Sequence, residues 1–357
     1  MTILGIPMPL ALHSSTRSYT SIDELLGDGR RRFFSHGYKT TNPRLRELRV
    51  NHTVSESTLT ARAALGVEGI WSIKGNSEQT PHLGTTDVLV LAARMAEALL
   101  ASRYSPELLP AAYLASVTIS GGSEPVEGTL GDLECRATLQ DLGHASVLRC
   151  SVASMTAVLE VAHEHAELGL ASVQSPSEEA LVGDASTRLY GGLWAERQVS
   201  LLDVVLDPSE GDAGEGMARA QLSFRQQPSL SRRLDDRRGL EAAYPQALSA
   251  VEYFVASLQL GQVLLYRLDS MNRADSNTLW MRKTRITLNG SCPKNGGGQG
   301  TGLAVSLQKS RLIQKDGGWW RCADVVGTFD GGKVVCSVAH QLPSHVAAAS
   351  ASVGDKQ

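Results

Sequence analysis

Residues 86–102 read TDVLVLAARMAEALLAS, and residues 249–268 read SAVEYFVASLQLGQVLLYRL. Both runs have helical composition and are apolar around most of their circumference. That pattern belongs to a helix buried on nearly all sides, not to an amphipathic surface helix. Superimposing Asp87 on Glu252 also superimposes Arg94 on Gln259 and Glu97 on Gln262. The pairs Leu99-Leu100 and Leu264-Leu265 then coincide as well.

The correspondence extends outward. Strand-like runs follow each helix, at 112–120 and 279–288, and Arg149-Cys150 and Val161-Ala162-His163 recur as Arg321-Cys322 and Val338-Ala339-His340. A hairpin turn is expected at Asp330-Gly331-Gly332. Upstream, alternating segments at 45–54 and 58–65 are matched by 198–206 and 217–224. Each half thus predicts two strands, a long buried helix and about three more strands. The offset of about 165 to 177 residues is too long for a solenoid repeat. The expected fold class is α+β, with two copies of one unit, each a curled antiparallel sheet around a buried helix. Such a unit resembles the hot-dog fold, and two in one chain make a double hot dog. The expected division is a flexible leader over 1–17, an N-terminal unit over 18–170, a C-terminal unit over 171–345 and a disordered tail over 346–357.

Composition narrows the function classes. The 357 residues carry a net charge of -3, with 42% apolar and 20% charged side chains. A near-neutral balance gives no long-range field for a nucleic-acid partner. No apolar stretch has the length of a membrane span. Cys135, Cys150, Cys292, Cys322 and Cys336 form no CxxC, and an odd count does not suit a secreted disulfide framework. The leader has no basic start and is broken by Pro7 and Pro9, unlike a signal peptide. A cytoplasmic location is the expectation.

Polar side chains on buried helices need partners or a purpose. Residues at i, i+7 and i+10 fall within roughly an 80° arc, because each residue turns about 100°. Glu252, Gln259 and Gln262 therefore share one face, as do Asp87, Arg94 and Glu97. Each face suits the floor of an acyl-binding slot with the acid as general base, its pKa raised by burial. The structural alternatives are specific. Ser249-x-x-Glu252 fits a capping box, Asp87 suits a first turn, and Arg94 and Glu97 are spaced to pair. His82, in Thr80-Pro81-His82-Leu83-Gly84, would be held at a helix mouth and is either a proton carrier near neutral pH or an inert loop residue. Trp71 and Lys74 would line the same mouth. His163 and His340 suit a shared structural role, and no metal-ligand spacing occurs. The glycine-rich run 295–302 lacks the lysine and helix of a phosphate loop. Arg30-Arg31-Arg32, Arg232-Arg233 and Arg237-Arg238 are either solvated faces or receivers of a phosphopantetheine.

These segments, taken in order, resemble a known family. Ser21-Ile22-Asp23-Glu24, Gly27 and Arg32-Phe33-Phe34-Ser35-His36-Gly37-Tyr38-Lys39 are followed by Trp71-Ser72-x-Lys74 and Pro81-His82-Leu83-Gly84-Thr85-x-Asp87. Leu258-Gln259-Leu260-x-Gln262-Val263-Leu264-x-Tyr266, Asp269 to Arg273 and Asp275 to Met281 complete the set. It is similar to the AvrD family of bacterial proteins over nearly the whole chain. The resemblance implies an enzyme of specialised metabolism, associated with syringolide-type acyl glycosides. Its reaction resembles that of A-factor synthase-type double hot dogs, in which a β-ketoacyl thioester joins a small hydroxyketone.

The resulting expectation is acyl transfer or condensation of a β-ketoacyl thioester, carried on coenzyme A or a carrier protein, with a hydroxyketone or ketose. The catalytic candidates are His82, Glu252 and Asp87. Lys74, Trp71, Gln259, Gln262, Arg273, Asn277 and Trp280 are the binding candidates. No metal or resident cofactor is expected, and no nucleic-acid or membrane partner. The alternatives are a dehydratase of a β-hydroxyacyl thioester and a non-catalytic acyl-binding protein.

Overall fold

The computed structural model describes residues 16–165, 172–208, 216–226, 236–288 and 300–344. Most of the expected leader, the expected tail, Arg232-Arg233, Cys292 and residues 295–299 lie outside the described residues. Arg17, assigned to the leader, opens the first strand.

Sixteen strands are described: β1 Arg17–Ser21, β2 Thr41–His52, β3 Ser57–Val67, β4 Ile73–Lys74, β5 Ser77–Glu78, β6 Tyr113–Ser120, β7 Leu133–Asp141, β8 Ala145–Val152, β9 Met155–Ala162, β10 Val173–Ser177, β11 Arg197–Asp207, β12 Met217–Gln226, β13 Trp280–Thr287, β14 Thr301–Lys315, β15 Gly318–Phe329 and β16 Gly332–Gln341. Fourteen form one antiparallel sheet in the order β1-β11-β12-β14-β15-β16-β13-β6-β9-β8-β7-β3-β2-β10, and β4-β5 is a separate hairpin. Counted inward from either end, the order passes through matching elements until β13 meets β6. The irregularities match too. Glu47 and Asp203 take positive φ at register shifts in β2 and β11, and shifts recur between Leu114 and Ser116 and between Met281 and Lys283.

Two departures from the sequence expectation stand out. Four strands, not about three, follow each long helix, and a short strand opens each half. Those openers, β1 and β10, have five residues each and lack a clean buried alternation, so no period marks them. They are also exchanged: β1 pairs with β11 and β10 pairs with β2.

The long helices are Thr85–Arg103 and Ala250–Leu268, close to the expected limits. Every residue of the first except Ser102 is buried. It packs on β2, β3 and β6 to β9, and the second packs on β11, β12 and β14 to β16. Each fully buried Leu, Val or Phe contributes about 1.5–3 kcal/mol. Val88, Leu89, Leu91, Leu99 and Leu100, all without exposed surface, therefore bind sheet to helix. A long helix wrapped by curled antiparallel strands is the hot-dog arrangement. The four described cysteines are free, and burial pushes the Cys135 and Cys336 thiols up to about 12. No described helix is long and apolar enough to cross a membrane.

Candidate active site

A cavity open to solvent lies where the halves meet. The first half contributes Arg32, Phe33 and Phe34, then Trp71, Ser72 and Lys74 at the β4-β5 hairpin, then Gln79, His82 and Gly84. The second contributes Gln262 from its long helix, and Arg273, Thr278, Leu279 and Met281 from the segment leading into β13. Gly37 fixes the approach of Trp71, because a Cβ there would run into the Trp71 carbonyl.

His82 is held between two indoles. Its ring centroid lies 4.6 Å from that of Trp71 and 5.3 Å from that of Trp280. Its Nδ1 is 3.2 Å from the Thr80 carbonyl. A carbonyl only accepts, so Nδ1 carries the proton and Nε2 keeps its lone pair. Burial holds the His82 pKa below its usual value, which favours the neutral ring.

Cations face it. Lys74 donates to the Asn277 carbonyl, and its pKa is pushed down to about 7, first by burial and then by Arg273. Arg273 clasps the halves, its Nη1 donating to the Ile73 carbonyl at 2.8 Å and its Nη2 to the Arg31 carbonyl at 2.9 Å. Asn277 Nδ2 donates to the Gln341 carbonyl at 3.0 Å, so Asn277 and Trp280 support the cavity through Lys74 and His82 without lining it. Gln262 lines it, donating to the Tyr266 hydroxyl at 3.2 Å.

The acids lie elsewhere. Glu252 accepts from the Ser249 N–H at 2.6 Å and from Arg197 Nη1 at 3.1 Å, closing the capping box of the second helix. Asp87 does the same for the first, accepting from the Gly84 N–H at 2.8 Å and the Thr41 hydroxyl at 2.7 Å. Burial raises its pKa to about 6. The Gly84 and Ser249 N–H groups thus serve the caps of their own helices. Glu252, Asp87 and Gln259 are buried and do not line the cavity. Sharing a helix face with Gln262 does not place Glu252 beside it, because ten residues span roughly 15 Å of helix.

Sequence reasoning missed Arg32, Phe33, Phe34, Gln79, Thr278, Leu279 and Met281 as cavity residues. The aromatic pair directly after the arginine triplet was the available signal.

The sequence model of the family described as Pseudomonas avirulence D protein (AvrD) matches residues 17–343. The chain belongs to the AvrD family. No curated protein matches significantly. Among solved structures similar to this AvrD chain is the dehydratase domain of PpsC from Mycobacterium tuberculosis in complex with C12:1-CoA, 14% identical, covering 86% of this chain and 99% of that one with a TM-score of 0.39. Another is a hot-dog fold protein of unknown function from Alicyclobacillus acidocaldarius, 11% identical, covering 82% and 96% with a TM-score of 0.36. A third is the dehydratase domain from the CurF module of curacin polyketide synthase, 10% identical, covering 82% and 95% with a TM-score of 0.32.

In this AvrD chain the first helix turns its polar face into ion pairs. Arg94 and Glu97, spaced to pair, feel each other's charge but take separate direct partners. Arg94 pairs with Glu178 at 2.8 Å, and Glu97 pairs with Arg188. His163 meets Ser146 at 2.8 Å, and His340 lies 3.5 Å from Asp269, both within the core. Among the described residues, no cluster of His, Cys, Asp and Glu is placed to hold a metal ion.

Proposed function

We propose that this AvrD chain transfers a β-ketoacyl group from a thioester to the hydroxyl of a small hydroxyketone or ketose. The observation that carries the proposal is the company of His82: a ring that burial holds towards its neutral form, in a cavity lined also by Lys74 and Arg273 and by no carboxylate, the acid acting on it being Glu127 outside the lining. His82 Nε2 takes the proton of the acceptor hydroxyl as its oxygen bonds to the thioester carbonyl carbon. Negative charge then gathers on the carbonyl oxygen, where Lys74 and Arg273 stabilise it. Collapse breaks the C–S bond, and the proton passes from His82 to the departing thiolate. A β-ketoacyl chain presents two carbonyl oxygens, which suits two cations better than one. Phe33, Trp71, Leu279 and Met281 supply apolar walls for the chain.

The thiol belongs to coenzyme A or a carrier-protein phosphopantetheine, and no resident cofactor takes part. The two halves are read as copies of one hot-dog unit, of which one interface works. A dehydratase needs a histidine and an acid facing each other, and no carboxylate is among the lining residues.

Thiol release from a synthetic β-ketoacyl thioester, measured with and without a small ketose and followed by mass analysis, tests the proposal. Ketose-dependent release and an adduct of summed mass less the thiol are expected. No release and no adduct from folded protein overturn it. Water loss from a β-hydroxyacyl thioester would establish the dehydratase, and tight acyl binding without turnover a binding protein.

A further inference from the structure

Each half places one arginine immediately after a short 3-10 turn: Arg32 after Gly29–Arg31, and Arg188 after Ala185–Thr187. Each long helix offers a partner thirteen residues past its N-cap, Glu97 from Gly84 and Gln262 from Ser249. In one place the protein completes the arrangement itself. Arg188 Nη1 donates to Glu97 Oε2, Glu97 Oε1 accepts from the Leu240 N–H at 3.0 Å, and Glu178 stands 3.3 Å from the same guanidinium. Two buried carboxylates, Glu97 and Glu178, thus balance two buried arginines, Arg188 and Arg94.

The matching place is the cavity. Here the helix offers the neutral amide of Gln262, and Arg32 has one carboxylate partner, Asp23, whose side chain is 56% exposed. Arg32 itself is 2% exposed. Its Nε and Nη1 have no hydrogen-bond partner, and neither has the buried indole Nε1 of Trp71 on the same cavity wall. Arg188 likewise leaves two nitrogens, Nε and Nη2, without a hydrogen bond, so the difference lies in the counter-charge: the buried carboxylates of Glu97 and Glu178 stand against its guanidinium. A buried guanidinium without a buried counter-charge is costly, and the surplus here consists wholly of donors.

We infer that Arg32 anchors an anionic oxygen group of the substrate, a carboxylate or a phosphate, which occupies in the cavity the place that the Glu97 carboxylate occupies at Arg188. The inference rests on the proposed function only in treating this cavity as the working site, and it adds that an anionic group of one of the two substrates is seated against Arg32.

The test is thermal unfolding of the full chain with malonate, inorganic phosphate or neutral malonamide at matched ionic strength. A ligand that binds only the folded state raises the unfolding temperature. A saturable rise of several degrees with malonate or phosphate, and none with malonamide, is expected. Malonate alone identifies a carboxylate, and phosphate alone a phosphate ester. Arg32→Met should abolish the rise. Gln262→Glu should abolish it too while raising the ligand-free unfolding temperature, because its carboxylate reproduces Glu97. No rise with either anion, or a full rise retained in Arg32→Met, overturns the inference. Anion binding without thiol release upholds it and overturns acyl transfer. Thiol release without anion binding does the reverse.

Discussion

Arg188 and Glu97 form an ion pair in which neither side chain exposes any surface. Removing one member strands the other, at about 3–5 kcal/mol. Glu97→Gln should therefore lower the urea midpoint strongly. Combined replacement by Glu97→Leu and Arg188→Met should cost less than Glu97→Gln alone. Equilibrium unfolding of the variants checks the order.

Thiol release should follow a bell-shaped pH profile. His82 acts as the neutral ring and its pKa lies below the usual 6.5, so the rate rises through a value under 6.5. Lys74 acts as the cation with a pKa of about 7, so the rate falls above about 7. Lys74→Arg should remove the alkaline limb. His82→Asn should lower kcat/KM by about 10² to 10⁴.

Asp87 makes stability fall as pH rises. Its folded pKa is raised to about 6 from 3.8, so the folded state binds the proton more tightly than the unfolded chain. The associated stability is full below about pH 4 and lost as pH climbs through about 6, amounting to roughly 3 kcal/mol. Asp87→Asn keeps an acceptor for the Gly84 N–H, and Thr41 can accept from the new amide while donating to the Tyr38 carbonyl, 3.0 Å away. Denaturation at several pH values should find this pH 4–6 slope flattened in the variant, with stability at pH 7 equal to or above that of the parent.

Glu252→Gln separates capping from catalysis. It leaves Arg197, 2% exposed, without its carboxylate, and should destabilise by about 3 kcal/mol or more. Thiol release per folded molecule should stay near the parent rate, measured below the variant's unfolding temperature.

Much of this was legible in the sequence because burial leaves a mark on composition. Between their first and last turns the two helices carry few polar residues, so those positions could be aligned, and the tract around His82 announced a fixed imidazole. Trp71 and Lys74 were named from the neighbouring tract, Gln262 from the helix alignment and Arg273 from the family resemblance, and all four line the cavity. Depth along a helix left no such mark. An acid three residues past an N-cap reads alike as cap or base, and only the partners Thr41 and Arg197, distant in sequence, decide between them. Arg32 was hidden by its neighbours. Arg30 turns outward to Asp28 and Arg31 to the Gly75 carbonyl, while the third arginine turns inward.

The exchanged openers β1 and β10 have a consequence for how the chain is made. The first half cannot complete the outer edge of its own sheet until residues 173–177 have left the ribosome, because β10 is the strand that pairs with β2. The second half depends in turn on β1, synthesised at the outset and held back until β11 exists. The halves are thus obligate folding partners. A chain cut between them should regain its native state as two complementary fragments, and neither fragment should reach that state alone.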